Sequence, residues 1–425
     1  MNSHLNNKVS GMNFGLLQVF HHRDFTLLWV SGVSMSVAMT LRLLISAQWL
    51  YEETGAEIQL GLLGAVQLIQ LPVALYGGTL ADTIDRKKLM AVTQGISFVM
   101  LIVLTVLAFG NWLVPWHIFV VTGASSIVNL LGGSARPAML PRTVPRNLIV
   151  DAVTTQTISF QGASILAPLI FWQLFEGFGV TASLAATAIV ALVSMVTPIL
   201  IKASGKSDGT TIRAPLSSLK QGYAFVMGHQ LLPGLFLLDV GVTAVSFYRT
   251  LFPIFADHLY GLGATGTGLL GAANSIGAII GSFAVFFTQK IQRKGLLVLI
   301  ATLAYSILLI AFGINSVFVI GLVIVCLLGA TDAVGMTMRQ AIAQLTTPDK
   351  LLGRTSGAKD FAAMGANNIG QIEVGLVSGL IGAGGTMIIG GFVAVGAVLF
   401  IWKMIPGIAR YRYDQSTDTD STLIK

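Results

Sequence analysis

The chain has 425 residues, of which 54% are hydrophobic and 10% charged, with a mean hydropathy of +0.80 and a net charge of +7. Soluble domains carry about 25% charged residues, so this composition excludes a soluble globular protein and points to a polytopic membrane protein. The positive charge does not point to nucleic acid, because the basic residues sit singly or in short groups between apolar runs, as topology signals do.

A membrane helix needs about 20 mainly apolar residues. Residues 1–24 are too polar for a signal peptide and are expected to stay cytoplasmic. Six apolar runs follow, at about 25–49, 59–81, 88–109, 114–134, 152–175 and 181–201. Residues 202–232 form a polar linker with an amphipathic stretch, PLSSLKQGYAFVMGH. Six more runs lie at about 233–256, 267–288, 295–314, 317–338, 354–381 and 386–405, before a polar tail, 406–425. The fold class expected is therefore all-α, with twelve transmembrane helices as two six-helix bundles, 25–201 and 233–405. The connections 110–113, 176–180, 315–316 and 382–385 are short enough to make their neighbours antiparallel hairpins.

With both termini inside, every lysine and arginine except Arg42, Arg249 and Lys359 falls on the cytoplasmic side. The outer loops receive Glu52, Glu53, Glu57, Glu176 and Asp257 instead. The opposite orientation would violate the positive-inside bias at every loop. The one cysteine, Cys326, lies in an apolar run and cannot form a disulfide within the chain.

The two halves repeat. Gly61-Leu62-Leu63-Gly64-Ala65 aligns with Gly268-Leu269-Leu270-Gly271-Ala272, Arg42 with Arg249, and Arg86 and Lys87 with Arg293 and Lys294, all at one offset. Asp82 and Asp85 align with Gln289 and Gln292. Slightly out of step, Arg136, Ala138, Pro145 and Leu148 align with Arg339, Ala341, Pro348 and Leu351. Parallel repeats of six spans imply a cavity between two bundles, with access alternating as one rocks against the other.

Between spans two and three stands Gly78-Thr79-Leu80-Ala81-Asp82-Thr83-Ile84-Asp85-Arg86-Lys87-Lys88-Leu89. This stretch resembles the loop signature of the major facilitator superfamily, with Thr83 in place of a basic residue and Asp85 in place of a glycine. The segments HRDFTLLWVSG, SARPAMLPRTVPRNLIVDAVTTQTISF and QLTTPDKLLGRTSG resemble the enterobactin-exporter-like and macrolide-efflux-like branch. The resemblance implies a bacterial inner-membrane transporter that exports a small amphipathic compound, usually in exchange for protons. It also implies a gating role for Gly78, Asp82, Arg86 and Lys87. The branch's fifth-span export signature is present only as Gly162-Ala163-Ser164-Ile165-Leu166-Ala167-Pro168. Uptake, or facilitated transport of a metabolite, remains the alternative, as does a receptor on the same fold.

A charge at the bilayer centre costs roughly 2.5–3.5 kcal/mol on insertion scales, so intramembrane charges are functional candidates. These are Arg42, Asp239, Arg249, Asp332, Lys359, Asp360 and Glu373. Glu373 is expected to partner one or both of Arg42 and Arg249 and to carry the proton, with Asp332 the second choice. Asp239 is expected to pair with an arginine of the inner side. Lys359 and Asp360 are expected to snorkel or to close the inner gate. Gln48, Gln67, Gln70, Phe247, Tyr248, Asn274, Asn367 and Gln371 are the polar and aromatic candidates for a substrate cavity. Gln67 and Gln70, one helical turn apart, are expected to share a face.

There is no Walker loop and no H-E-x-x-H motif. The histidines fall in tails, loops or span ends, so no metal or other cofactor is expected and the chain does not read as an enzyme. The expected partners are a small-molecule substrate, protons and the lipid bilayer, with no nucleic acid, for a protein that works as a monomer.

Overall fold

In a computed structural model of the chain, residues 18–74, 84–133, 135–206, 215–288 and 291–412 are described. Among them are ten helices long and apolar enough to cross a membrane. Two of the ten hold two spans each. The helix Ile149–Ile199 leaves helical geometry at Gly179, and Asp349–Met404 does so at Gly382, with φ of 77° and 78°. That left-handed region strains any residue with a Cβ, so a glycine marks the end of the span at both places. Counted this way the protein spans the membrane twelve times. Large apolar side chains stand on the outer surface of the helices: Phe109, Phe287 and Leu380 are each more than 80% exposed.

The described residues group into two compact units. The first comprises residues of Met1–Gly55, Ala65–Pro215 and Leu262–Ala272. The second comprises residues of Ala56–Gly64, Leu216–Gly261 and Ala273–Lys425. The exchanged stretches are the glycine repeats read from the sequence. A Cβ on Gly61 would stand 3.0 Å from Gly375 Cα, and one on Gly64 would stand 2.4 Å from Gln371 Cβ. In the first unit a Cβ on Gly268 would stand 2.7 Å from the Pro168 carbonyl oxygen, with Trp172 as close. Missing side chains let backbones pack this tightly within a membrane.

Inside the first unit the segment 135–148 folds into short turns over an apolar core of Phe25, Leu28, Met90, Met139 and Leu140. The chain after Ile199 is tied down by polar groups. Asp24 accepts from the backbone N–H groups of Lys202 and Ala203 at 3.1 and 2.7 Å. Asp85, in the place of the family's glycine, is the N-cap of the helix Arg86–Phe109, where its carboxylate accepts from Lys87 N and Lys88 N. A short acid side chain there satisfies two of the N–H groups that a helix start leaves unpaired.

The seventh span is not a continuous helix. Leu232–Thr243 is α-helical, residues 244–247 are not, and Tyr248–Leu251 forms a 3-10 turn followed by Phe252–Ile254 and a π-turn, Phe255–Leu259. Pro253 accounts for the 3-10 turn that precedes it. It has no N–H to offer the Arg249 carbonyl four residues back, and its ring crowds that carbonyl. In the first half the aligned residue is Ser46, and Arg23–Thr54 stays helical throughout.

Candidate functional site

The break in span seven decides where the repeat arginines go. Arg42, within an unbroken helix, is 5% exposed, and its Nη1 meets no hydrogen-bond partner among the described residues. Ser46 Oγ, one turn on, is likewise unpartnered there. Arg249, on the 3-10 turn past the break, points into open space with its side chain 45% exposed. Its Nη2 donates to Asp332 Oδ2 at 3.2 Å, and its guanidinium lies 5.8 Å from the centre of the Tyr248 ring. Asp332 is 38% exposed.

The acid beside Arg249 is therefore Asp332 and not Glu373, the partner expected from the sequence. Glu373 is half-buried, and its Oε2 has no hydrogen-bond partner among the described residues. Asp332 stands on Phe318–Thr346, the helix whose course brings its polar residues toward the broken span, and spacing along the chain could not show that.

A second pair lies in the same unit. Arg339 Nη2 is 2.8 Å from Asp239 Oδ1, and both groups are mostly buried. Between the two pairs is a narrow cleft whose walls include Asp239, Asp332, Arg339, Thr302, Thr331 and Tyr305. Beyond Asp239 and Arg339 opens another cavity of about 530 Å³, lined among others by Phe236, Gln340, Gln344, Thr355 and Lys359. The Asp239–Arg339 pair thus stands between a polar cleft that reaches Asp332 and a mainly apolar cavity that reaches Lys359. Arg339, Thr302 and Tyr305 were not among the residues singled out from the sequence. The repeat did mark Arg339 as the match of Arg136, but its place near a predicted span end made it read as a topology signal.

Aromatic residues fix the wall that carries Arg249. Tyr248 is 2% exposed and donates to the Asn274 side-chain oxygen. Tyr305 OH lies 3.2 Å from Ser246 Oγ, and its ring centre is 6.2 Å from that of Tyr248. Phe247 turns the chain at the break, against the close-packed Gly370. Tyr248 and Asn274 are thus held in the wall rather than presented to a ligand. Gln48 is also occupied: it donates to Glu52 at 2.8 Å and accepts from Thr267 at 2.8 Å. Gln67 and Gln70 are partly buried, but the helix Glu57–Gln67 ends between them in a turn at Leu68 and Ile69. The turn is bridged by i to i+3 hydrogen bonds, a spacing that keeps residues three apart on one side. Asn367 is exposed and Gln371 partly buried on Asp349–Met404.

Gly78 and Asp82 of the loop signature lie outside the described residues. Arg86 and Lys87 bind backbone within the first unit. Arg86 N donates to the Gly205 carbonyl at 2.9 Å, its Nη1 to that of Ala138 at 3.4 Å, and Lys87 Nζ to that of Ile201 at 2.9 Å. The Lys87 cation sits on a carbonyl just past the C-terminal end of Ile149–Ile199, where the helix dipole is negative.

Comparison with known proteins gives this geometry a family. Residues 15–422 match the family described as transmembrane secretion effector. The chain is 27% identical over 342 residues to enterobactin exporter EntS from Shigella boydii serotype 4 (strain Sb227), covering 80% of this chain and 79% of that one. It is similar to the same degree to EntS from Escherichia coli O1:K1 / APEC. Among solved structures, nucleoside transporter NupG aligns with a TM-score of 0.71 at 14% identity, over 90% of this chain and 99% of that one. A POT family transporter in complex with 5-aminolevulinic acid aligns with a TM-score of 0.72 at 12% identity, over 91% and 96% of the two chains.

Proposed function

Because the chain belongs to the transmembrane secretion effector family of major facilitator transporters, we propose that it exports a small amphipathic compound from the cell by alternating access, in exchange for protons. The observation that carries the coupling is the Arg249–Asp332 pair, half-exposed on a broken span in a protein that spans the membrane. With Asp332 ionised, the pair is neutral as a whole and holds the broken span to Phe318–Thr346. When Asp332 takes up a proton it releases Arg249, and the freed guanidinium is then available to an anionic or polar substrate. A charge change at an intramembrane pair that joins two helices is the kind of event that can bias one arrangement of a transporter over another. Asp239 and Arg339 close the polar cleft on the side away from Asp332 and keep the exchange from becoming a leak.

The direction and the substrate class rest on the relatives named as enterobactin exporters. Enterobactin is accordingly the first compound to try. The distribution of lysine and arginine supports cytoplasmic termini, the exporter relatives support the inner membrane, and we propose a monomeric transporting unit of two six-helix bundles, 25–201 and 233–405.

The test is proton movement in liposomes containing the purified protein. Substrate added to one side should dissipate an imposed pH gradient, and Asp332→Asn should abolish that flux while substrate–substrate exchange persists. If Asp332→Asn moves protons like the parent and Glu373→Gln does not, the carrier is Glu373. If no siderophore or drug dissipates the gradient, proton-coupled export is wrong.

A further inference from the structure

The loop signature and its repeat differ in one respect that transport does not use. In the first half Asp85 caps its helix, and Arg86 is spent on backbone carbonyls. In the second half Gln292 stands in the place of Asp85, and the helix Lys294–Ile314 has no side-chain cap. Arg293, the match of Arg86, is exposed and lines a cleft of about 780 Å³ together with Arg412 and Gln292. The apolar part of the same cleft is Leu296, Leu297 and Ile300. Among the described residues no carboxylate lines it.

Arg412 is brought there by a tight crossing. A Cβ on Gly295 would stand 1.8 Å from the Ile408 carbonyl oxygen and 3.3 Å from Tyr411 Cβ. Only glycine allows the segment Pro406–Arg410 to lie across the start of Lys294–Ile314, and Arg412 follows directly. The apolar side continues into the membrane. Ile300, Ile307 and Ile314 recur at intervals of two turns on this helix and are 50%, 54% and 67% exposed. They form a stripe about 20 Å long at 1.5 Å per residue.

We propose that the cleft binds an anionic membrane phospholipid, its headgroup phosphate between Arg293 and Arg412 and an acyl chain along Ile300, Ile307 and Ile314. Two guanidinium groups complement a phosphate. The apolar floor and the exposed stripe distinguish a lipid from a soluble anion. Basic pockets at the ends of membrane helices are suited to such headgroups. The glutamines of the second loop then have a purpose: an aspartate at position 292 would compete for Arg293.

The experiment is native mass spectrometry of the full chain in mild detergent, titrated with phosphatidylglycerol and with phosphatidylcholine of the same chains. The parent should retain phosphatidylglycerol at least about tenfold more strongly, each tenfold being 1.4 kcal/mol. The double variant Arg293→Gln/Arg412→Gln should bring the two lipids to parity, and Gln292→Glu, an exposed change that leaves the arginines in place, should weaken phosphatidylglycerol alone. Arg293→Lys/Arg412→Lys should keep most of the preference and shows that loss in the glutamine variant is not misfolding. Equal retention of both lipids by the parent, an unchanged preference in the glutamine variant, or displacement by millimolar inorganic phosphate would each overturn the proposal.

Discussion

Arg339 stands 2.8 Å from the carboxylate of Asp239, while its repeat partner Arg136 stands over Gly32, the residue that aligns with Asp239. The first half keeps the arginine and drops the acid. Arg136 is served instead by Gln94, whose amide, turned to suit its neighbours, offers an oxygen at 3.0 Å from Nη2. A neutral partner leaves the Arg136 charge in place, whereas Asp239 cancels that of Arg339. The two units therefore share a scaffold and differ in where they carry net charge. The paired charges of span seven, Asp239 and Arg249, belong to the second unit.

Removing one member of the Asp239–Arg339 pair should cost much more than removing both. Asp239→Ala strands a guanidinium that is 12% exposed, and breaking a buried pair this way costs about 3–5 kcal/mol. Thermal unfolding in detergent should show a large fall in Tm for Asp239→Ala and a smaller one for Asp239→Ala/Arg339→Ala. Equal falls would mean that the two side chains do not compensate one another.

The capping role of Asp85 separates it from Asp82. Asp85→Ala should cost about 1 kcal/mol through loss of the cap, and Asp85→Asn should restore most of it, because asparagine caps as well. Transport by Asp85→Asn should match the parent. Asp82→Asn, in the gate position that the family resemblance assigns, should impair transport while the protein still inserts. Vesicle transport rates together with melting curves distinguish the two, and a transport loss in Asp85→Asn would return Asp85 to the gate.

The spans were legible because length and hydropathy are local properties. The turns at Gly179 and Gly382 fell inside the short connections read from the sequence. Charged candidates were legible for the same reason, since any charge within an apolar run stands out. Their partners were not. Arg249 meets Asp332 across two helices, and nothing in the spacing of either chose between Asp332 and Glu373. The break before Arg249 was hidden because LFLLDVGVTAVSFYRTLFPIF stays apolar through it, and its one signal, Pro253, lies beyond the gap. Asp85 before a basic, apolar run carries the mark of an N-cap, obscured by comparison with a glycine.

Helical glycines should respond in opposite ways according to what faces the missing Cβ. A Cβ on Gly277 would fall 1.8 Å from the Cys326 carbonyl oxygen, and one on Gly281 would fall 2.2 Å from that of Ala330. Gly277→Ala must push two helices apart and should cost about 1–3 kcal/mol. Gly365 has nothing within 4 Å of its missing Cβ. Gly365→Ala should be neutral or stabilise by up to about 1 kcal/mol, through the helix propensity that alanine adds. Melting temperatures of the two variants check the sign, and a stabilised Gly277→Ala would contradict the close crossing.

Pro253→Ala tests whether the break in span seven serves transport. Alanine restores an N–H that the Arg249 carbonyl can accept from, and it removes the ring that crowds that carbonyl. Proline in a helix interior costs about 3 kcal/mol relative to alanine, part of which this variant should recover as a higher Tm. A regular helix there would turn Arg249 away from its place on the 3-10 turn and lengthen its 3.2 Å bond to Asp332. The variant should therefore be more stable and slower, with substrate-driven proton movement reduced at least about tenfold. Non-helical backbone at membrane depth persists where it lines a cavity, and a healed span that transported at the parental rate would show that the break is not needed to present the arginine.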